Sequence, residues 1–309
     1  MQKAILITGA STGIGRHLAH YLAERDHLVY AGVRKEADFA ALSGMQNIVP
    51  LELDVTNLAQ IETAVTFITA QGTGLYGLVN NAGLGGLGYL TTWREAEFQQ
   101  IFDVNVAGPW RMSNAFLDLL LAARGRIVNI GSQGGTVSKK LYGPYTMTKH
   151  ALEAYTVALN EELRPFHVHV SIVQPGGIVS NIGANGLPDM VARLQRAQPP
   201  FTTEAQQLLA SFDNPSPPPD PNAPESESNR KPSSPEIVAT AVYHALFADS
   251  PKLRYMVGTP WEGNRVINTL INRLSDANDS PEHSYSREQL IALLDQQLQA
   301  RNEVVRPLQ

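Results

Sequence analysis

Ser132, Tyr145 and Lys149 are the residues of this chain whose types and spacing can do chemistry. Lys149 follows Tyr145 by about one helical turn, so on a helix the ammonium and the phenol share a face. A cation beside a phenol favours phenolate and is expected to draw the Tyr145 pKa from about 10 toward neutrality. A tyrosine tuned in this way serves as a general acid or base. A serine hydroxyl reaching the same place holds a carbonyl or hydroxyl oxygen. Tyr-x-x-x-Lys also arises by chance on solvated helix faces, so the surrounding elements decide its meaning.

Those elements alternate. Short, almost wholly apolar runs predict strands at 4–8, 28–33, 48–52, 77–80, 125–130, 167–173 and 255–258. Longer periodic stretches predict helices at 15–24, 58–69, 95–123, 145–163 and 236–247. Continuously apolar strands are covered on both faces, and strand alternating with helix gives a parallel sheet between helical layers. The expected fold is α/β: a Rossmann-type, doubly wound parallel sheet of about seven strands in three layers.

The first strand runs into Thr8-Gly9-Ala10-Ser11-Thr12-Gly13-Ile14-Gly15. Glycines there permit a tight turn and close approach of backbone to a pyrophosphate, and the next helix offers its N-terminal amides. The spacing differs from G-x-G-x-x-G, but the context of strand before and helix after is the one the chemistry needs. After the second strand an acid would bind a free ribose hydroxyl. Here Gly32 stands in its place and Arg34 and Lys35 follow. Arginine pairs with a phosphate in a bidentate way, so NADP(H) is expected over NAD(H). Asp54 follows the third strand, where a carboxylate accepts the adenine amino group. Asn80-Asn81-Ala82-Gly83 follows the fourth, at the ligand-binding carboxyl edge of the sheet.

The chain has 309 residues, 43% of them hydrophobic, enough for a sizeable core. A formal charge of −5, from 24 basic and 29 acidic residues, argues against a nucleic-acid partner. There is no cysteine, which excludes disulfides, zinc-thiolate sites and thiol catalysis. His17 and His20 have metal-like spacing but no acidic partner nearby in sequence, so no metal site is expected. No signal peptide and no membrane-spanning run is apparent, and a cytoplasmic protein is expected.

Two regions stand outside the alternation. From Asn214 to Pro235 the chain reads N-P-S-P-P-P-D-P-N-A-P-E-S-E-S-N-R-K-P-S-S-P. Proline fixes φ and removes donors, so this insertion, bounded at 213–235, is expected to be a disordered surface loop or a flap near a substrate mouth. The catalytic domain is expected over 1–260, with 261–309 as a helical extension packed on it. In that extension Ser286 and Gln289 match a capping box. Leu290, Leu293, Leu294 and Leu298 form a stripe for core or subunit packing.

Together these motifs resemble the short-chain dehydrogenase/reductase family in its compact single-domain branch. The resemblance covers about residues 3–180 and 236–258. It rests on the glycine turn, Asn80–Gly83, Asn105 within Asp103-Val104-Asn105-Val106-Ala107-Gly108, Ser132, Tyr145-Thr146-Met147-Thr148-Lys149, and Pro175-Gly176. It implies a hydride-transferring oxidoreductase with a nicotinamide cofactor. Tyr145 would act as proton donor, Lys149 as its partner and ribose ligand, and Ser132 would hold the substrate oxygen. Asn105 would hold a relay water. Further cofactor contacts are implied at Gly9, Ser11, Thr12, Gly13, Ile14 and Gly15. Val55, Asn81, Ala82 and Gly83 follow along the sheet edge, and Pro175, Gly176, Ile178 and Ser180 lie after the sixth strand. Ser180 stands where the family often has threonine.

The sequence around Asn81, at 103–112 and at 29–34 looks like the steroid and retinol dehydrogenase group. That implies an apolar alcohol or carbonyl, lined by candidates Gly134, Leu141, Tyr142 and Ile182. Rival readings are an acyl-thioester ketoreductase, a sugar dehydrogenase, or a non-catalytic NADP sensor. The resemblance also implies a homodimer or homotetramer paired through the helices at 95–123 and 145–163.

Overall fold

The computed structural model describes residues 2–180, 182–213 and 218–305. The strands are β1 (Ala4–Ile7), β2 (Leu28–Val33), β3 (Ile48–Glu52), β4 (Gly77–Asn80), β5 (Arg126–Ile130), β6 (His169–Pro175) and β7 (Arg254–Val257). The helices are α1 (Gly13–Ala23), α2 (Glu36–Leu42), α3 (Leu58–Ala70), α4 (Glu95–Phe102), α5 (Gly108–Ala115), α6 (Leu117–Ala123), α7 (Gly143–Leu163), α8 (Ile182–Gln195), α9 (Thr202–Asp213), α10 (Glu236–Phe247), α11 (Pro260–Asn278) and α12 (Arg287–Val305).

All seven strands form one parallel sheet in the order β3-β2-β1-β4-β5-β6-β7. The order reverses between β1 and β4, which places a crevice at their carboxyl ends. Side chains alternate between two cores. Ile5 and Ile7 join Leu18, Leu22, Val242 and Leu246 on the face covered by α1 and α10. Leu6 joins Ile61, Ile68, Met112 and Phe116 on the face covered by α3 and α5.

The single helix expected over 95–123 is broken. A π-turn occupies 103–107, and Phe116 leaves helical geometry at φ −100, ψ 8. Pro109 explains the first break: it has no N–H to donate to the Asn105 carbonyl four residues back. The sixth strand begins at 169 rather than 167, because His167 adopts φ 63, a left-handed turn that ends the preceding helix.

The chain divides into compact units at 1–265 and 266–309. In the second, the capping box forms: Ser286 N donates to Gln289 Oε1 at 2.8 Å, and Gln289 N donates to Ser286 Oγ at 3.3 Å. Among the described residues, no helix is long and apolar enough to cross a membrane.

Candidate active site

Helix α7 opens with Gly143 and Pro144, a proline in its first turn, and carries Tyr145 and Lys149 one turn apart. Strand β5 ends at Ile130 and turns through Ser132 into a short 3-10 segment, Gln133–Gly135. The two elements meet. Lys149 is buried, its Nζ donates to the Ile130 carbonyl at 2.8 Å, and it lies 5.7 Å from the centre of the Tyr145 ring. The Ser132 hydroxyl accepts the Gly134 amide at 2.9 Å and hydrogen-bonds Tyr145.

The electrostatics correct the expectation drawn from spacing alone. Burial is the largest influence on Tyr145 and pushes its phenol up; the hydrogen bond with Ser132 pulls down but does not prevail. Burial also lowers Lys149, to about 8. The ammonium points at a backbone carbonyl rather than at the phenol, and burial, not the neighbouring cation, is the largest influence on the phenol.

Asn105 sits in the π-turn, 2% exposed, behind the cavity wall rather than in it. Its Oδ1 accepts the Leu84 amide at 2.8 Å. Its Nδ2 donates to the Leu84 carbonyl and to Thr148 Oγ1, both at 3.0 Å. Both amide hydrogens are committed, so the side chain ties the loop after β4 to α7.

At the other end of the crevice the glycine turn is a cradle that larger residues would fill. Gly9 and Gly13 have φ +65 and +56, and a Cβ on Gly9 would stand 2.9 Å from Ala82 Cα. Asn81 fixes this turn from below: its Nδ2 donates to the Thr8 and Gly9 carbonyls, each at 2.9 Å. Thr8 Oγ1 accepts the amides of Asn81 and Ala82, each at 3.0 Å. Asn81 is thus a brace as well as a wall residue. The Thr12 side chain makes no capping hydrogen bond to α1, so the first-turn amides face the crevice without an internal acceptor. This donor set fits a dinucleotide pyrophosphate.

Arg34 lines the cavity at the end of β2, 3.8 Å from Asp54 Oδ2. Lys35 does not line it. Gly32 is a packing glycine, since a Cβ there would stand 2.9 Å from Leu53 Cδ2 and 3.2 Å from the Ile7 carbonyl. A side chain at that position would need Leu53 to move. Asp54 is partly spent on its own turn, its Oδ1 accepting Thr56 N at 2.9 Å and Thr56 Oγ1 at 2.7 Å.

One cavity of about 540 Å³ joins the glycine turn to Tyr145. The expected residues reach it except Lys35, Leu141 and Asn105. Leu141 has φ 72 and turns into a separate apolar cluster with Tyr89, Leu194 and Phe201. Val137, Leu87 and Met190 line the substrate end with Tyr142 and Ile182. The sequence pointed to the loop after Asn81, to 133–144 and to the segment after Pro175 as lining, without singling out the first three or Lys139. It missed Arg230, Glu262 and Arg265 in the wall. Only Arg230-Lys231 left a trace, as the two cations of an otherwise proline- and acid-rich stretch. Among the described residues no group of three His, Cys, Asp or Glu side chains is arranged to hold a metal. His17 instead pairs with Glu236 at 2.9 Å.

The insertion is organised by its own polar groups, contrary to the expectation of a disordered loop. Asn229 Nδ2 donates to the Pro224 carbonyl at 3.0 Å, and Lys231 Nζ to the Ala223 and Pro221 carbonyls at 2.7 and 2.9 Å. Ser233 pairs with the chain after β6, its N–H donating to the Gly177 carbonyl at 2.7 Å and its carbonyl accepting Val179 N at 3.0 Å. Glu227 bonds Lys139 from the wall. Residues 214–217 of the insertion lie outside the described residues.

The C-terminal end of α8 is anchored by charge. Arg193, 4% exposed, lies 3.6 Å from the centre of the Trp93 ring and 3.3 Å from Glu97, which also takes Arg196 at 2.8 Å. Ile182, Gly186 and Met190, spaced one turn apart along α8, line the cavity.

Comparison with known proteins bears on this site. The family model described as short chain dehydrogenase matches residues 3–190. The chain is 35% identical over 188 residues to the mitochondrial D-beta-hydroxybutyrate dehydrogenase of Mus musculus, covering 58% of this chain and 55% of that protein. It is 32% identical over 276 residues to a 3beta-hydroxysteroid dehydrogenase of Caenorhabditis elegans, covering 83% of this chain and 68% of that one. The fold superposes on a short-chain dehydrogenase from Streptomyces avermitilis with a TM-score of 0.69 at 26% identity, over 90% of this chain and 93% of that one. The chain spans little more than half the length of the mouse protein it matches.

Proposed function

The chain belongs to the short-chain dehydrogenase family, and from that premise we propose an NADP(H)-dependent oxidoreductase. It interconverts a secondary or retinol-like alcohol and its ketone or aldehyde, on an apolar substrate such as a steroid, retinoid or other lipid. One observation carries the reading: Ser132, Tyr145 and Lys149 converge at one end of a cavity whose other end is a glycine turn with uncapped helix amides.

A bound nicotinamide dinucleotide supplies or accepts the hydride. The protein supplies the rest. Amides of the glycine turn and of α1 hold the pyrophosphate, and Arg34 meets a 2′-phosphate. Lys149 Nζ, already at the cavity wall, binds the ribose hydroxyls. The wall from Pro175 to Ser180 holds the carboxamide side. Ser132 Oγ donates to the substrate oxygen and fixes it beside the phenol. Tyr145 Oη donates its proton to that oxygen in reduction and recovers it in oxidation. The phenol, pushed up by burial, is in its acid form at neutral pH, which suits reduction. Lys149, lowered to about 8, can exchange a proton near neutrality, and a water on the Asn105 carbonyl connects it to solvent.

Apolar walls at Leu87, Val137, Ile182 and Met190 favour a lipid-like carbonyl. The cations there do not make a basic entrance for an acyl carrier: Lys139 and Arg265 face Glu227, and Arg230 faces Glu262. Subunits pair through α4, α5 and α7 in a homodimer or homotetramer, a reading supported by Trp110 on α5, which is 54% exposed. The enzyme works in the cytoplasm. The test is a fluorescence titration of the purified protein with NADPH and NADH. Tighter NADPH binding is expected; preference for NADH removes the NADP assignment, and binding of neither removes the enzyme reading.

A further inference from the structure

Glu262, in the first turn of α11, is 1% exposed, and its carboxylate is spent on the cavity wall. Oε1 accepts the Gly177 amide at 2.7 Å and bonds the Arg230 guanidinium; Oε2 accepts the Thr259 amide at 3.2 Å. It lies so close to the turn after β6 that a Cβ on Gly176 would collide with it. Arg230 belongs to the insertion, and its guanidinium rests 4.8 Å from the centre of the Trp261 ring. Gly177 is therefore gripped twice, its N–H by Glu262 and its carbonyl by Ser233 of the insertion. A carboxylate taken out of water needs its counter-charge in place, and here the counter-charge comes from the insertion.

We propose that Glu262 is a positioning residue for the 175–177 turn, and that the Arg230–Glu262 pair makes seating of the proline-rich insertion a condition for that turn to receive the nicotinamide half of the cofactor. The insertion then acts on cofactor binding from outside the glycine turn. This rests on the cofactor reading given above.

The experiment compares two ligands in the full chain: the preferred dinucleotide, and its adenosine half alone (adenosine bisphosphate for NADPH, ADP for NADH). In Glu262→Gln and in Arg230→Met, dinucleotide affinity falls on the order of tenfold, the loss of about one charge-assisted hydrogen bond. Affinity for the adenosine half is unchanged. The double variant is no weaker than the worse single one, because both act through one turn. Equal loss of both ligands, or loss of neither, overturns the proposal. A merely structural role lowers both ligands together. If Glu262→Gln fails to fold, Arg230→Met, on a partly exposed side chain, decides alone. If the unmodified protein binds neither dinucleotide, the cofactor reading falls and takes this proposal with it. If it binds one and the variants keep the ratio, only this proposal falls.

Discussion

The ammonium of Lys149 donates a hydrogen bond to the carbonyl of Ile130 at 2.8 Å, which ties the second turn of α7 to the last residue of β5. The contact holds a cation where little water reaches it. Burial lowers its pKa from 10.5 to about 8.

That burial has a measurable signature in stability. A lysine whose pKa is lower in the folded than in the unfolded protein opposes folding while it is charged. The penalty is fully present below about pH 8 and is relieved as pH rises from there to 10.5. At about 1.4 kcal/mol per unit of pKa, it is on the order of 3 kcal/mol. Denaturant unfolding of the protein and of Lys149→Met across this range reads it directly. The stability of the unmodified protein relative to Lys149→Met rises with pH between 8 and 10.5; a flat difference contradicts a buried, weakened ammonium.

Glu97, partly exposed beside the buried Arg193, is a second charge whose removal has a stated direction. Burial pushes its carboxyl up, but the Arg94 amide and the charges of Arg196 and Arg193 outweigh it, and the net pKa is lowered. Its contribution is present above about pH 4.5 and is lost as pH falls through the lowered value. Glu97→Ala leaves the buried Arg193 with only Asp189, at 3.9 Å and exposed, as a carboxylate partner, at a cost on the order of 3 kcal/mol. The melting temperature should drop accordingly, with cavity-facing α8 becoming the first site of proteolysis. A loss below about 1 kcal/mol, the range of an exposed pair, rejects the anchor.

In the proposed cofactor reading Arg34 is the cation that meets the 2′-phosphate, since Lys35 does not line the cavity. Arg34→Ala should weaken NADPH on the order of tenfold and leave NADH nearly unchanged, the loss of about one charge-assisted contact. A parallel loss of both dinucleotides in the same titration assigns Arg34 a general rather than a phosphate-specific role.

Much of this was legible in the chain. Strands β2, β3 and β4 and helix α10 stand where apolar runs and caps placed them, because local pattern and tertiary burial agree there. The long helix at 95–123 was misread because its periodicity outweighed one proline, although Pro109 removes the donor that Asn105 needs. Tyr145 and Lys149 were legible as a pair, but not the sign of the shift. Spacing shows the cation beside the phenol; it does not show both groups losing water, nor the Ile130 carbonyl that claims the ammonium. Glu262 left no local trace at all, since its partners Gly177 and Arg230 come from distant segments.

In the proposed reaction Tyr145 delivers the proton that completes hydride transfer. The most direct measurement is turnover of NADPH with a panel of apolar ketones and aldehydes by the unmodified protein and by Tyr145→Phe, with the reverse oxidation followed against pH. Tyr145→Phe should bind NADPH normally and lose about 10²–10⁴ in turnover. Because burial keeps the phenol protonated, oxidation should climb with pH beyond neutrality rather than level off there. Full activity in Tyr145→Phe contradicts the account, and an oxidation rate already level at neutral pH contradicts the raised phenol.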